Sequence, residues 1–339
     1  MLLPEWNVIP SSHNLEASMQ TASWDKIEAD LKLGVFLITV AAQSLLSDHH
    51  PAAGQYGKAT LGAGFDPKQI AAGQADDLEH LAAFDVAKTR FHQVARACFD
   101  LVHGNTPLDE IETQDFEAET LNWMTYFLGA IPRDEYATTL GGYSDRFRER
   151  RDKGDEHPLP GLHLVAAAKV NLAEYLQSFP RNPEMEIGFA PFEIAALAGM
   201  NISSVRNFVG PAGKKPIRSM PYEETRGVYG DPLDALEWLA GRRNFDPGPL
   251  SSRWLDKAAE RAGTPEDACA MLGIYAWVNR ITTETLAERS GLPVEVVKSW
   301  TRGDMASPDD AAPLAEAAGI DPEFYTKLVA RCGGAAARI

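Results

Sequence analysis

One spacing constrains this chain more than any other feature, because it recurs. A small residue is followed four positions later by glycine, at Ala195 with Gly199 and again at Ala287 with Gly291. The first copy reads IAALAGMNISSVRNFV from Ile194 and the second LAERSGLPVEVVKSW from Leu286, so the two alanines stand 92 residues apart. A small residue suits the place where one helix crosses another, and glycine tolerates the positive φ of a tight turn between them. Ile194, Ala198, Met200, Val205 and Phe208 are the apolar set of the first copy. Leu286, Leu292, Val297 and Trp300 fall at the same offsets in the second, with Ser290 in place of Ala198. Each copy therefore encodes two short helices closed over a shared apolar contact. That is either an ordinary helical hairpin or a helix-turn-helix, and the flanking sequence bears on which.

After the first copy come residues 214–220, with Lys214, Lys215 and Arg218, and then residues 225–230, which together predict a short two-stranded wing. Asp231 and Pro232 have the chemistry of an N-cap and first helical residue for a helix over 231–241. Helix, turn, helix, basic wing and closing helix resemble the winged helix-turn-helix modules of the excisionase and mercury-resistance-regulator families, over about residues 188–243. Residues 221–225 lengthen the wing relative to that pattern. The resemblance implies a recognition helix over 202–209 with Asn201 as its N-cap. Ser203, Ser204, Arg206 and Asn207 would then face the major groove, where Arg and Asn read base edges. Lys214, Lys215 and Arg218 would meet phosphate or the minor groove from the wing.

Around the second copy, a predicted helix over 265–279 precedes the pattern, and Trp300, Arg302 and Gly303 form a turn after it. Five short helices in this arrangement resemble the phage-repressor (Cro/repressor) domain over about residues 265–331. The resemblance implies DNA contacts from Thr283, Lys298, Ser299 and Arg302. It departs at Thr283, which stands where such domains often carry a phosphate-bridging Gln. Glu295 sits at the tip of the corresponding recognition helix, so this face suits DNA less well.

The N-terminal portion, to residue 182, is predicted to be helical. Apolar residues recur at helical spacing through Leu81, Phe84, Val86, Phe91, Val94, Ala95, Cys98, Phe99 and Val102, with further helices over 118–128 and 164–179. The longest apolar stretch, 33–46, is shorter than the ~20 residues a bilayer span needs and is read as buried core. With 45% hydrophobic and 24% charged residues, the chain can bury real cores. Its formal charge is −16, which opposes DNA binding at long range. The charge is uneven, however. Residues 1–182 carry 15 Lys/Arg against 26 Asp/Glu, whereas 203–218 contain Arg206, Lys214, Lys215 and Arg218 and no acid. Cys98, Cys269 and Cys332 are far apart and odd in number, which argues for a reduced, cytoplasmic protein.

Other chemistry was sought. Gly57, Lys58, Ala59 and Thr60 approximate a phosphate-binding loop, yet an alanine follows the lysine where the metal-binding hydroxyl belongs. His92 and His103 share a helix face, but Cys98 projects about 120° away from them, and His49 with His50 reads as a loop. No catalytic residue, metal site or cofactor is therefore expected. The charged stretch 146–156 reads as solvated surface.

The sequence thus predicts a mostly α protein. Residues 1–182 form an acidic helical domain, 183–247 a winged helix-turn-helix, 248–332 a repressor-like domain and 333–339 a flexible tail. The expected partner is double-stranded DNA, bound by a homodimer away from any membrane. The acidic domain would sense a signal, dimerise, or contact RNA polymerase or another protein. Two alternatives stay open: an assembly protein that uses these folds to bind protein, and an excisionase-like accessory factor in DNA processing.

Overall fold

A computed structural model of the chain describes residues 23–45, 85–104, 106–130, 158–180, 188–221, 228–305 and 307–336. The predicted loop at His49 and His50, the glycine-rich stretch around Lys58, the apolar Leu81 and Phe84, the charged stretch 146–156 and the wing residues 222–227 lie outside those described. The described residues are mostly helical, with one small three-stranded sheet. They divide into two compact units, one built from residues up to 104 with 112–167, the other from 106–111 with those from 168 onward.

In the first unit, α1 (Trp24–Leu45) and α2 (Arg90–His103) pack together. Their contact is aromatic: the Trp24 ring meets His92 edge-on at 5.1 Å and Phe99 at 5.4 Å. Thr89 caps α2 by accepting from the His92 backbone N–H. A π turn, Glu117–Leu121, joins α3 (Thr113–Phe116) to α4 (Asn122–Ala130), and Phe127 of α4 lies 4.6 Å from Phe91. The long helix α5 (Pro158–Ser178) is counted with this unit to residue 167 and with the other from 168. The buried Asp30 carboxylate accepts from the Leu159 N–H at 3.3 Å, placing an anion at the positive end of α5. No helix among the described residues is long and apolar enough to cross a membrane.

The second unit opens with α6 (Pro191–Ala198) and α7 (Ile202–Arg206). Gly199 joins them at φ +61°, and Ala195 is buried at their crossing. A Cβ on Gly199 would stand 3.0 Å from the Asn244 Cβ, so the turn is held from outside as well as by its own φ. Asn201 caps α7, accepting from the Ser203 N–H at 2.8 Å.

Helix α7 ends at Arg206, three residues short of the expected 202–209. Val209 and Gly210 instead form β1, which pairs in parallel with β2 (Ile217–Pro221) through Val209 with Ile217. The cause is local: a β-branched residue, a glycine and then Pro211 cannot extend the helix. β2 pairs antiparallel with β3 (Val228–Gly230), so the predicted wing has three strands rather than two.

α8 (Pro232–Ala240) follows, with Asp231 accepting from the N–H groups of Leu233 and Asp234. It packs on α10 (Pro265–Val278), which comes after α9 (Trp254–Arg261). α11 (Thr283–Ser290) and α12 (Val294–Thr301) flank Gly291 at φ +70°. α13 (Ala311–Ala318) and α14 (Pro322–Ala336) complete the unit, and α14 runs on into the stretch expected as a tail. Trp254, Trp277, Trp300 and Tyr325 are fully buried and centre this core.

Two outcomes follow from these contacts. Gly199→Ala places a Cβ in the left-handed region and against Asn244, and should cost about 1–2 kcal/mol in urea unfolding. An unchanged midpoint would show that the turn relaxes freely. His163 of α5 is buried beside Thr125 at 3.2 Å, and its burial pulls the imidazole pKa down to about 4. The unfolded chain then binds the extra proton first, so stability held above pH 6.5 is lost as pH falls toward 4, by about 3 kcal/mol at most. His163→Gln should flatten that limb of a stability-against-pH curve; parallel curves would refute the assignment.

Candidate nucleic-acid interface

The site residues predicted from sequence separate into two groups by what their charges meet. In the first motif, Asn201 spends its side-chain oxygen on the Ser203 backbone and hydroxyl. Ser203, Arg206 and Asn207 are exposed and Ser204 half-buried on the five residues of α7 and its C-cap. Lys214 and Lys215 are exposed in the turn between β1 and β2. Among the described residues, Arg206, Lys214 and Lys215 pair with no carboxylate.

Arg218 is different. Its Nη2 lies 2.8 Å from Asp231 and its Nε 3.7 Å from Asp234, while its backbone N–H donates to the same Asp234 carboxylate at 2.9 Å. Arg302, at the C-cap of α12, comes to that acid from the other side. Its Nη2 stands 3.7 Å from Asp234 and 3.2 Å from Glu237. Thr283 is 2% exposed; its hydroxyl donates to Glu237 at 2.8 Å and accepts from the Trp277 indole N–H at 3.4 Å. A buried hydroxyl so placed does not reach a phosphate. Lys298 pairs with Glu295 one turn away at 3.7 Å, and the Ser299 hydroxyl donates to Asp304 at 3.0 Å.

Asp231, Asp234 and Glu237 thus form a row that binds the wing arginine at one end and the second motif at the other. Burial pushes the Asp234 carboxyl above its ordinary value, against the opposing pull of the Arg218 backbone N–H. This row is not among the site residues expected from the sequence. Its signal was legible, because acids three apart share one helix face.

At the far end of α8, Phe208 lies 5.1 Å from the Trp238 ring, and the Arg242 guanidinium stacks 4.0 Å from the same ring. Among the described residues no three His, Cys, Asp or Glu side chains are grouped to hold a metal. Cys98 and Cys269 are buried, and desolvation pushes both thiols up to about 12. Compared with known proteins, the chain matches no family model, no curated protein and no solved structure.

Glu237→Ala leaves the Thr283 hydroxyl buried without its carboxylate and Arg302 with only the more distant Asp234. It should cost about 1–3 kcal/mol in urea unfolding. Lys298→Ala breaks only an exposed pair and should stay within about 0.5 kcal/mol of wild type. Equal effects of the two would show that the row is no more than surface charge.

Proposed function

We propose that the chain is a sequence-specific DNA-binding regulator in which the first helix-turn-helix reads the duplex and the second supports it. The observation that carries this reading is the division of cations. Arg206, Lys214 and Lys215 stand exposed beside Asn207 with no carboxylate to satisfy them among the described residues. In the second motif, Arg302 is held by Asp234 and Glu237, and Lys298 lies 3.7 Å from the exposed Glu295, whose charge opposes phosphate at that face. Phosphate competes poorly for a cation that has a fixed carboxylate beside it, and well for one that has only water. The five-residue α7 offers few base contacts, so Arg206 and Asn207 carry the sequence preference and the two lysines carry affinity. The net charge of −16 weakens indiscriminate binding and confines contact to this face.

In this reading the winged module and the five-helix repressor-like module are one working part, with the second packed on α8 through α10 and tied to its acids by Thr283 and Arg302. That docking is also what favours the assembly alternative for the second motif, since its face meets protein within the chain itself.

The test is selection of duplexes from a random pool by the full chain, followed by titration on the enriched sequence. Arg206→Ala with Asn207→Ala should lower affinity for that sequence roughly ten- to a hundredfold and erase preference over an unrelated duplex. Lys298→Ala should leave the preference intact. A pool that yields no enriched sequence, or a preference that follows Lys298 instead, would overturn the assignment.

A further inference from the structure

Two helix C-termini meet in the second unit, and each is followed by arginine. α8 ends before Gly241, Arg242 and Arg243; α10 ends before Asn279 and Arg280. The Arg280 Nη2 donates to the Arg243 carbonyl oxygen at 3.2 Å, which brings the two ends together. Arg280 holds φ +61°, the sole non-glycine residue with positive φ among those described, and its backbone N–H closes on the Trp277 carbonyl. Arg242 stacks on Trp238, with its guanidinium carbon 5.7 Å from the Phe208 ring, two residues beyond Arg206. The ridge therefore abuts the end of α7.

No carboxylate among the described residues pairs with Arg242, Arg243 or Arg280. The acids of α8 are spent on Arg218 and Arg302, and the charge of Asp246 acts on the buried Lys169. The Arg242 Nε and the Trp238 Nε1 are buried with no acceptor. Each of the three arginines follows the negative carbonyl end of a helix, where a cation is favoured without any acid. Arg243 and Arg280 are exposed and Arg242 half-buried, so the charge at these helix ends faces solvent with no carboxylate beside it among the described residues.

Resting on the DNA-binding reading above, we infer that Arg242, Arg243 and Arg280 form a second phosphate-binding ridge, which grips the backbone of double-stranded DNA beside the base-facing helix. Guanidinium forks match phosphate oxygens, and such contacts fix the register of a protein on the duplex without reading its sequence. None of the three belongs to the helix or wing that the motif itself supplies.

The experiment uses the full chain and the enriched duplex, with binding followed across a salt series. Arg280→Gly keeps the backbone, because glycine accepts φ +61°; it is combined with Arg243→Gln, and melting of the variant verifies its fold. The double variant should lower the magnitude of the slope of log affinity against log salt by about 2 and leave the preference over an unrelated duplex unchanged. Lys327→Gln, an exposed cation already paired with Glu323, should leave the slope as it is. Wild-type slope and affinity in the double variant, with wild-type discrimination intact, would overturn the ridge while the DNA reading stands. An equal loss from Lys327→Gln would overturn it too, by showing that any cation serves. Failure of the unmodified chain to bind duplex at any salt would remove both proposals.

Discussion

Helix α8 imposes its geometry on nearly everything around it, because its two faces are satisfied by different physics. Ala235, Leu236 and Leu239 are fully buried, and this apolar side rests on α10. Asp231, Asp234 and Glu237 recur every third residue along the other side, where side chains three apart are neighbours. Asp231 caps the helix and holds Arg218; Asp234 lies between Arg218 and Arg302; Glu237 receives both Arg302 and Thr283. Burial, and to a lesser degree the neighbouring Asp231, pushes the Asp234 carboxyl upward. Desolvation offsets much of the attraction in such a network. Its main effect is registry: the wing strand and the second motif are held at fixed positions on a single helix.

That arrangement gives the two copies of the glycine-turn pattern unequal electrostatic circumstances. The first presents cations to water, and the second turns Arg302 toward acids of its own chain. Within a chain of net charge −16, cations left without a carboxylate are conspicuous. They include residues at α7, at the β1–β2 turn and at the joined ends of α8 and α10, alongside Arg253, Lys257, Arg261, Arg289 and Arg331 elsewhere in the second unit. The division arises from tertiary packing, since both copies carry comparable arginines and lysines in sequence.

Features set by neighbouring residues were legible from the sequence. The caps Asn201 and Asp231, the turn glycines Gly199 and Gly291, and the helix after Thr264 all depend on hydrogen bonds or φ values within a few positions. The end of α7 was misread because apolar spacing continues through Phe208 and Val209. Pro211 was the better guide, and the parallel partner Ile217 supplies what the helix no longer does. The partners of Arg302 and Thr283 were not legible at all. Glu237 lies 65 residues from Arg302 and 46 from Thr283, and nothing in local spacing reveals such a meeting. A threonine in place of an expected glutamine reads as a lost contact in sequence; in the fold it is a buried hydroxyl with two partners.

The row on α8 also bears on how such a chain can change by descent. A repeated pattern ordinarily leaves each copy free to drift, since one can fail while the other persists. Here positions 218, 231, 234, 237, 283 and 302 form one interlocked set, and a polar group lost at any of them leaves a neighbour short of a partner. A loss at one of these positions is best offset by a change in its partner, which couples the two copies, whereas the exposed residues of α7 carry no such constraint.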